Sequence, residues 1–120
     1  ARRLASLLPK KARDDRQNNA PRIIDLLRAA SRIDGLTLEG YVIRAPRQDE
    51  RVSIDTVLVP ESAIIAHTGS PIDEERYPSY QHWLTLASVL GLGDEAIPPD
   101  EMRVLIRDGS SKRWWWAWWD

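Results

Sequence analysis

Residues 102–119 read MRVLIRDGSSKRWWWAWW, and this stretch decides the fold. Two runs rich in large apolar residues flank the Asp-Gly-Ser-Ser segment at 108–111, and Asp-Gly between such runs is a strong signal for a β-hairpin. Five of the six residues from 114 to 119 are tryptophan, a residue type enriched in strands because it fits a pleated surface. The sequence therefore predicts an antiparallel hairpin over about 102–119.

The rest of the chain predicts a second hairpin and two main helices. Residues 36–59 contain two runs rich in Val, Ile, Leu and Thr around a polar loop with a proline, which is typical of a hairpin. Pro21 suits the first turn of a helix over about 21–33, and Ser79 suits the cap of a helix over about 79–90. A short helix is predicted over 71–77. Main-stripe residues of the helix over 79–90 are expected to be Tyr80, Trp83, Leu84, Ala87 and Leu90.

The order helix, hairpin, helix, hairpin predicts an α+β fold. Its antiparallel sheet would be built from the two hairpins, with the two main helices on one face. A second interpretation of residues 36–45 stays open, because Leu27 to Ala45 resembles the helix pair of the ribbon-helix-helix antitoxins. In that interpretation Leu38, Tyr41, Val42 and Ala45 would form a helical face, but the strand expected before such a pair is missing at 18–21.

Length and composition indicate one domain and exclude several classes. A chain of 120 residues is long enough for one core and too short for two ordinary domains. With no cysteine there is no disulfide, thiolate metal site or cysteine nucleophile, and the longest apolar run, 114–119, is far too short to cross a bilayer. We expect a cytoplasmic protein with no membrane partner, a flexible basic arm at 1–20, and a single domain at 21–120.

The charge is unevenly distributed along the chain. Residues 1–33 carry nine Lys or Arg against three Asp, a balance of +6, whereas the other 87 residues carry eight basic and fifteen acidic groups, a balance of −7. A basic arm on an acidic body is a common way to reach polyanions such as nucleic acid, although it also occurs as a solubilising tail. The arm residues expected to contact phosphates are Arg2, Arg3, Lys10, Lys11, Arg13 and Arg16.

The turn at 108–111 decides what the tryptophans meet. A two- or four-residue loop places Met102, Val104 and Ile106 on the face of Trp115, Ala117 and Trp119, whereas an odd-length loop exchanges the faces. With an even loop, the second face mixes indoles with cations. Its candidate binding residues are Arg103, Arg107, Lys112, Trp114, Trp116 and Trp118.

Three interpretations of that mixed face stay open. Arginine can stack on indole simply to stiffen the sheet, indoles and arginine can form a protein interface, or the indoles can stack on the bases of single-stranded nucleic acid. We therefore expect a non-enzymatic binding module, first for nucleic acid and alternatively for protein assembly as a homo- or hetero-oligomer. No cofactor and no metal is expected, because no known ligand spacing occurs. A small enzyme is the third class, and it would need a pocket that gathers His67 or His82 with carboxylates.

Overall fold

The computed structural model describes residues 20–43, 51–72, 78–106 and 112–120, and at 41–43 and 51–53 it describes the backbone only. The elements follow in the order α1 (Ile23–Arg32), β1 (Thr37–Ile43), β2 (Arg51–Pro60), α2 (Glu61–Thr68), α3 (Tyr80–Leu90), β3 (Glu101–Ile106) and β4 (Arg113–Trp118). The predicted α+β fold is confirmed, including both hairpins and both main helices. Helix α2 was not predicted, and most of the short helix expected over 71–77 lies outside the described residues.

The four strands form one antiparallel sheet in the order β1-β2-β4-β3. Strand β1 pairs along its whole length with β2, so the helical interpretation of residues 36–45 is wrong where that segment is described. The tryptophan-rich strand β4 lies between β2 and β3. A central strand has neighbours on both sides, which explains how so many large side chains find packing partners.

A bulge in β2 explains the irregular pattern of its apolar residues. Glu39 pairs with Thr56 while the next residue, Gly40, pairs with Ile54, so Asp55 is the extra residue. Because one extra residue reverses the alternation, the inward-facing positions change from even to odd along the strand. Ile54 and Val57 therefore both point toward the core, although they are three residues apart.

The main core lies between the helices and one face of the sheet, here called the inner face. The inner face supplies Val57 and Val59 from β2, with Trp115, Ala117 and Trp119 from the β4 end of the chain. Helix α1 packs at one side through a second cluster that includes Ile54 and four residues of its own first half: Ile23, Ile24, Leu26 and Leu27. Ala20, the first described residue, is fully buried and belongs to the main core.

Helix α3 buries a different stripe from the expected one. Trp83 and Leu90 are buried as expected, but Leu86 and Val89 take the remaining core positions, while Tyr80 is 62% exposed and Leu84 is 43% exposed. The helix is apolar around most of its circumference, so periodicity alone did not fix its rotation. The edge-to-face contact between Trp83 and Trp119, with ring centroids 5.9 Å apart, is one contact that orients it.

Candidate functional site

The second face of the sheet, here called the outer face, has three rows of side chains that follow from the strand pairing. Trp118, Trp116 and Trp114 form the β4 column, and Thr56, Leu58 and Pro60 stand directly opposite them on β2. On the other side, Glu101, Arg103 and Leu105 stand opposite the same indoles on β3. Thr37 and Glu39 extend two of the rows onto β1. A ridge of three indoles thus runs beside a column of shorter side chains.

The pairing of β3 with β4 confirms the even register of the hairpin. Arg103 is opposite Trp116 and Val104 is opposite Trp115, a register that leaves room for an even-length connection around 108–111. Trp115 is 4% exposed and Trp119 is 1% exposed, whereas Trp114, Trp116 and Trp118 are half-buried. Alternate tryptophans therefore have different roles, one set in the core and the other on the outer face.

None of the outer-face indoles belongs to either of the two core clusters in which the described helices pack against the sheet. Leu58 is buried as well, yet it also lies outside those clusters. Because cross-strand partners have Cβ atoms about 5 Å apart, the indole of Trp116 is positioned to cover Leu58. Among the described residues, the apolar side chains of the outer face are therefore covered by one another.

The charges on the outer face are mixed. The guanidinium group of Arg103 forms an ion pair with Glu101, two residues earlier on the same strand, and its side chain remains 64% exposed. A second carboxylate, Glu39, lies exposed at the opposite edge of the sheet. Two carboxylates beside one described arginine make this face a poor match for a run of phosphates, since phosphate contacts supply most of the affinity of nucleic-acid binding.

The structure brings together only part of the predicted binding set. Arg103, Lys112 and the three alternate tryptophans are described, whereas Arg107 and the predicted arm residues are not, namely Arg2, Arg3, Lys10, Lys11, Arg13 and Arg16. Sequence reasoning missed the β2 column, because the pairing of β2 with β4 joins residues about 60 positions apart. It also missed the ion pair of Arg103, although the i, i+2 spacing of Glu101 was a local signal for it.

A cleft of about 430 Å³ lies at one end of the tryptophan ridge. Trp114, Pro60 and Ile65 supply apolar walls, and Lys112 lies at the side. At its base Arg113 Nε is 3.3 Å from a Glu61 carboxylate oxygen, and Arg113 also donates to the Ile72 carbonyl oxygen at 3.1 Å. This network ties the start of β4 to the start of α2.

The two histidines have different surroundings. Nδ1 of His82 accepts a hydrogen bond of 2.8 Å from the Ser79 backbone N–H, which closes the first turn of α3, and the His82 ring packs edge-on against Trp115. Nε2 of His67 is 2.8 Å from the hydroxyl oxygen of Ser88, and His67 shares a cleft with Asp34. His67 thus meets the condition set for a candidate site, a pocket that gathers a histidine with a carboxylate.

The described residues hold neither a metal-binding cluster nor a membrane-spanning helix. Within the described ranges, no group of three His, Cys, Asp or Glu side chains is placed to hold a metal ion. No helix in the described part of the chain is long and apolar enough to cross a bilayer.

Comparisons with known proteins found no relative. No protein-family model matches the chain, and neither the curated proteins nor the solved structures contain a significant match.

Proposed function

We propose that this chain is a protein-assembly module that pairs with a second copy of itself through the outer face of its sheet. The observation that carries the proposal is the ridge of Trp114, Trp116 and Trp118, which stands outside the core clusters of the described helices. Tryptophan and arginine are the residues most enriched where interfaces gain their binding energy. The three indoles are half-buried, so part of each apolar ring remains exposed in one column along β4, and contiguous exposed apolar side chains mark interaction sites.

The shape of the outer face suits a two-fold contact. In a dimer whose two sheets pack face to face, the two-fold axis lies in the plane of the interface. Rotation about this axis places each column of one copy over the column that lies equally far on the other side of the axis in the second copy. An axis along the boundary between β2 and β4 sets the indole ridge of one copy over the shorter column of Thr56, Leu58 and Pro60 on the other. Large side chains would then fill the space left by small ones, as in the interior of a sandwich of two sheets.

The charges of the outer face suit the same arrangement. That axis exchanges the two edge strands, so β1 of one copy faces β3 of the other. In the pairing rows Glu39 stands level with Glu101 and one row, about 7 Å, from Arg103, so the guanidinium group of Arg103 can reach between Glu101 of its own copy and Glu39 of the second copy. A guanidinium group has five N–H donors. Arg103 can therefore keep its ion pair with Glu101 and also donate hydrogen bonds to the carboxylate of Glu39 of the second copy.

The proposal is tested by the molar mass of the full chain in sedimentation equilibrium over a wide concentration range. We expect a reversible dimer, and Trp116→Ala should weaken it by at least about 2 kcal/mol, or about thirtyfold in the dissociation constant. Tyr80→Ala is the matched control, because Tyr80 is an exposed aromatic residue on α3, in the opposite layer. The control should dimerise like the original chain.

A charge exchange makes the test specific to the proposed geometry. Arg103→Glu should weaken the dimer, because it sets a third carboxylate beside Glu101 and Glu39 of the second copy, and adding Glu39→Arg should recover part of the loss. Both side chains are exposed, so the variants do not remove core packing. A monomer at every concentration contradicts the proposal. If that monomer binds single-stranded oligonucleotides with an affinity that falls steeply with salt, and Arg103→Gln weakens the binding, the outer face is a nucleic-acid platform instead.

A further inference from the structure

A cluster of hydrogen-bond donors lies in the helix layer, away from the outer face of the sheet. Arg28 and Arg32 are four residues apart on α1 and so share one side of that helix. Ser88 on α3 is 2.8 Å from Nε2 of His67 near the end of α2. Side chains from three helices therefore meet at one place.

Two depressions lie side by side at this place, and Arg32 lines both. The first, of about 340 Å³, has apolar walls formed by Ala63, Ala66 and Val89, and His67 lies at its side. The second, of about 300 Å³, is lined by Arg28 and Ser88. The two depressions share Arg32, and the hydrogen bond between His67 of the first and Ser88 of the second links their walls.

Arg28 and Arg32 line the second depression near the C-terminal ends of α1 and α3, and their two full positive charges exceed the partial negative charges of those helix ends. The carboxylate of this depression, Asp25, accepts hydrogen bonds of 3.0 and 3.3 Å from Arg22, so that negative charge is already matched. Arg32 donates one N–H group to the Val89 carbonyl oxygen at 3.1 Å, a bond that fixes the guanidinium group and leaves further N–H donors on the same fork. The other carboxylate, Asp34, lines the first depression.

We propose that the two depressions form one site for a small phosphate monoester. Its phosphate group would bind Arg28, Arg32 and the Ser88 hydroxyl, and its apolar body would lie against Ala63 and Val89. A phosphate carries a charge of about −2 and three acceptor oxygens, which matches two arginines and a hydroxyl better than a carboxylate does. The first depression alone is at the lower end of the volume range of ligand pockets, so the apolar body that it receives must be small.

His67 has a positioning role in this site. When Nε2 of His67 carries the ring proton, it donates to the Ser88 oxygen, and the hydroxyl proton of Ser88 is then directed to the ligand. The chain has only two histidines, so the ring nitrogens of each can be followed by NMR. Phenyl phosphate should fix the Nε2–H form of His67 and leave the signals of His82 unchanged.

The experiment is calorimetric titration of the full chain with phenyl phosphate and, separately, with inorganic phosphate. We expect phenyl phosphate to bind at least tenfold more tightly, because inorganic phosphate leaves the apolar depression empty. Arg28→Gln should weaken the binding of phenyl phosphate at least tenfold, and Arg28→Lys, which keeps the charge, should lose less. Arg28 is exposed, so neither variant removes core packing.

A second pair of variants separates the site from general effects on α3. Ser88→Ala should weaken binding, whereas Thr85→Val should not, since the Thr85 hydroxyl donates to the Gln81 carbonyl oxygen of its own helix. Equal affinities for the two phosphates, equal affinities of Arg28→Gln and the original chain, or no saturation up to about 10 mM phenyl phosphate would each overturn the proposal. Dimerisation, measured in parallel, should be unaffected in all four variants.

Discussion

At the scale of single residues, neighbouring tryptophans in this chain differ in what they contact. Trp119 is almost fully buried, its indole Nε1–H donates to the Ile97 carbonyl oxygen at 2.8 Å, and its backbone N–H donates to the Asp55 carbonyl oxygen at 2.9 Å. Trp118 lies on the outer face and is only half-buried. One step along an extended chain moves the side chain to the other side of the sheet, so the same residue type serves two layers.

Truncation of the two side chains should therefore have unequal costs. Trp119→Ala is expected to lower the free energy of unfolding by about 3–5 kcal/mol, because it leaves a large cavity and an unpaired carbonyl oxygen. Trp118→Ala should cost less than about 2 kcal/mol in the monomer, since part of its surface already meets water. Urea denaturation at a concentration where the chain is monomeric measures both, and equal losses would contradict the assignment of the two faces.

Two glycines allow backbone strain to be separated from crowding. Gly69 and Gly91 both end helices with a positive φ, +77° and +72°. A Cβ at position 69 would meet no atom within 4 Å, whereas at position 91 it would lie 3.3 Å from Nη2 of Arg32. We expect Gly69→Ala to cost about 1 kcal/mol from the left-handed conformation alone. Gly91→Ala should cost clearly more in the same denaturation experiment, and equal costs would show that Arg32 moves aside freely.

At the scale of elements, α2 is held by a polar network and not by its apolar stripe. Only Ile64 of its eight residues is buried, and its axis starts directly after β2 at Pro60. Glu61 in its first turn accepts a hydrogen bond of 3.0 Å from the Ile72 backbone N–H and pairs with Arg113. The carboxylate therefore joins α2, β4 and the segment after α2, and it also lies where the helix dipole favours a negative charge.

Substitutions at Glu61 should show how much this network stabilises α2. Glu61→Gln keeps an acceptor for the Ile72 N–H and should cost about 1 kcal/mol, whereas Glu61→Ala removes it and should cost about 2–3 kcal/mol. Hydrogen exchange of the α2 amides should accelerate in the same order. Ser62→Ala is the control, because Ser62 is the exposed neighbour of Glu61 in the same turn. A loss as large in the control as in Glu61→Ala would contradict the proposed role.

At the scale of the whole molecule, the described helices cover the inner face of a four-stranded sheet, while the outer face carries indoles. This two-layer arrangement places the two proposed sites on opposite sides, with the self-association surface on the sheet and the phosphate site among the helices. Since they share no residue, variants at one site should leave the other unchanged. The same separation lets the two proposals fail independently.

The boundary between arm and domain gives a prediction for the whole chain. Residues 10–19 contain no apolar side chain larger than alanine, and Ala20 is the first described core residue. A chain that begins at Ala20 should therefore unfold cooperatively, with a free energy within about 0.5 kcal/mol of the full chain. Comparison of the two urea transitions checks this. A fragment that is clearly less stable would show that residues 1–19 contribute to the fold.

Local sequence patterns predicted most of the helices and strands, but they did not predict which residues border the tryptophan ridge on the outer face. Ser79 and Gly91 cap α3 as expected and Gly35 follows the end of α1, because capping and turn chemistry acts within a few residues. Pro21 was expected in the first turn of α1, but it lies before the N-cap residue Arg22. Helix α2 was missed because its four-residue apolar segment spans little more than one helical turn, which is too short to show a periodicity. The rotation of α3 was only partly predicted, since a helix that is apolar nearly all round does not encode which side is buried.

By itself, the sequence determined that alternate tryptophans of β4 face opposite sides, because side-chain alternation is a local property of an extended chain. The pairing of β3 with β4 decided that Arg103 shares a side with Trp116. Only the tertiary structure decided that β2 lies beside β4, that Leu58 and Pro60 border the indole ridge, and that Arg28, Arg32, His67 and Ser88 meet. These are contacts between segments far apart in the chain. They are selected by how whole layers pack together, and that free energy is not encoded in any short stretch of residues.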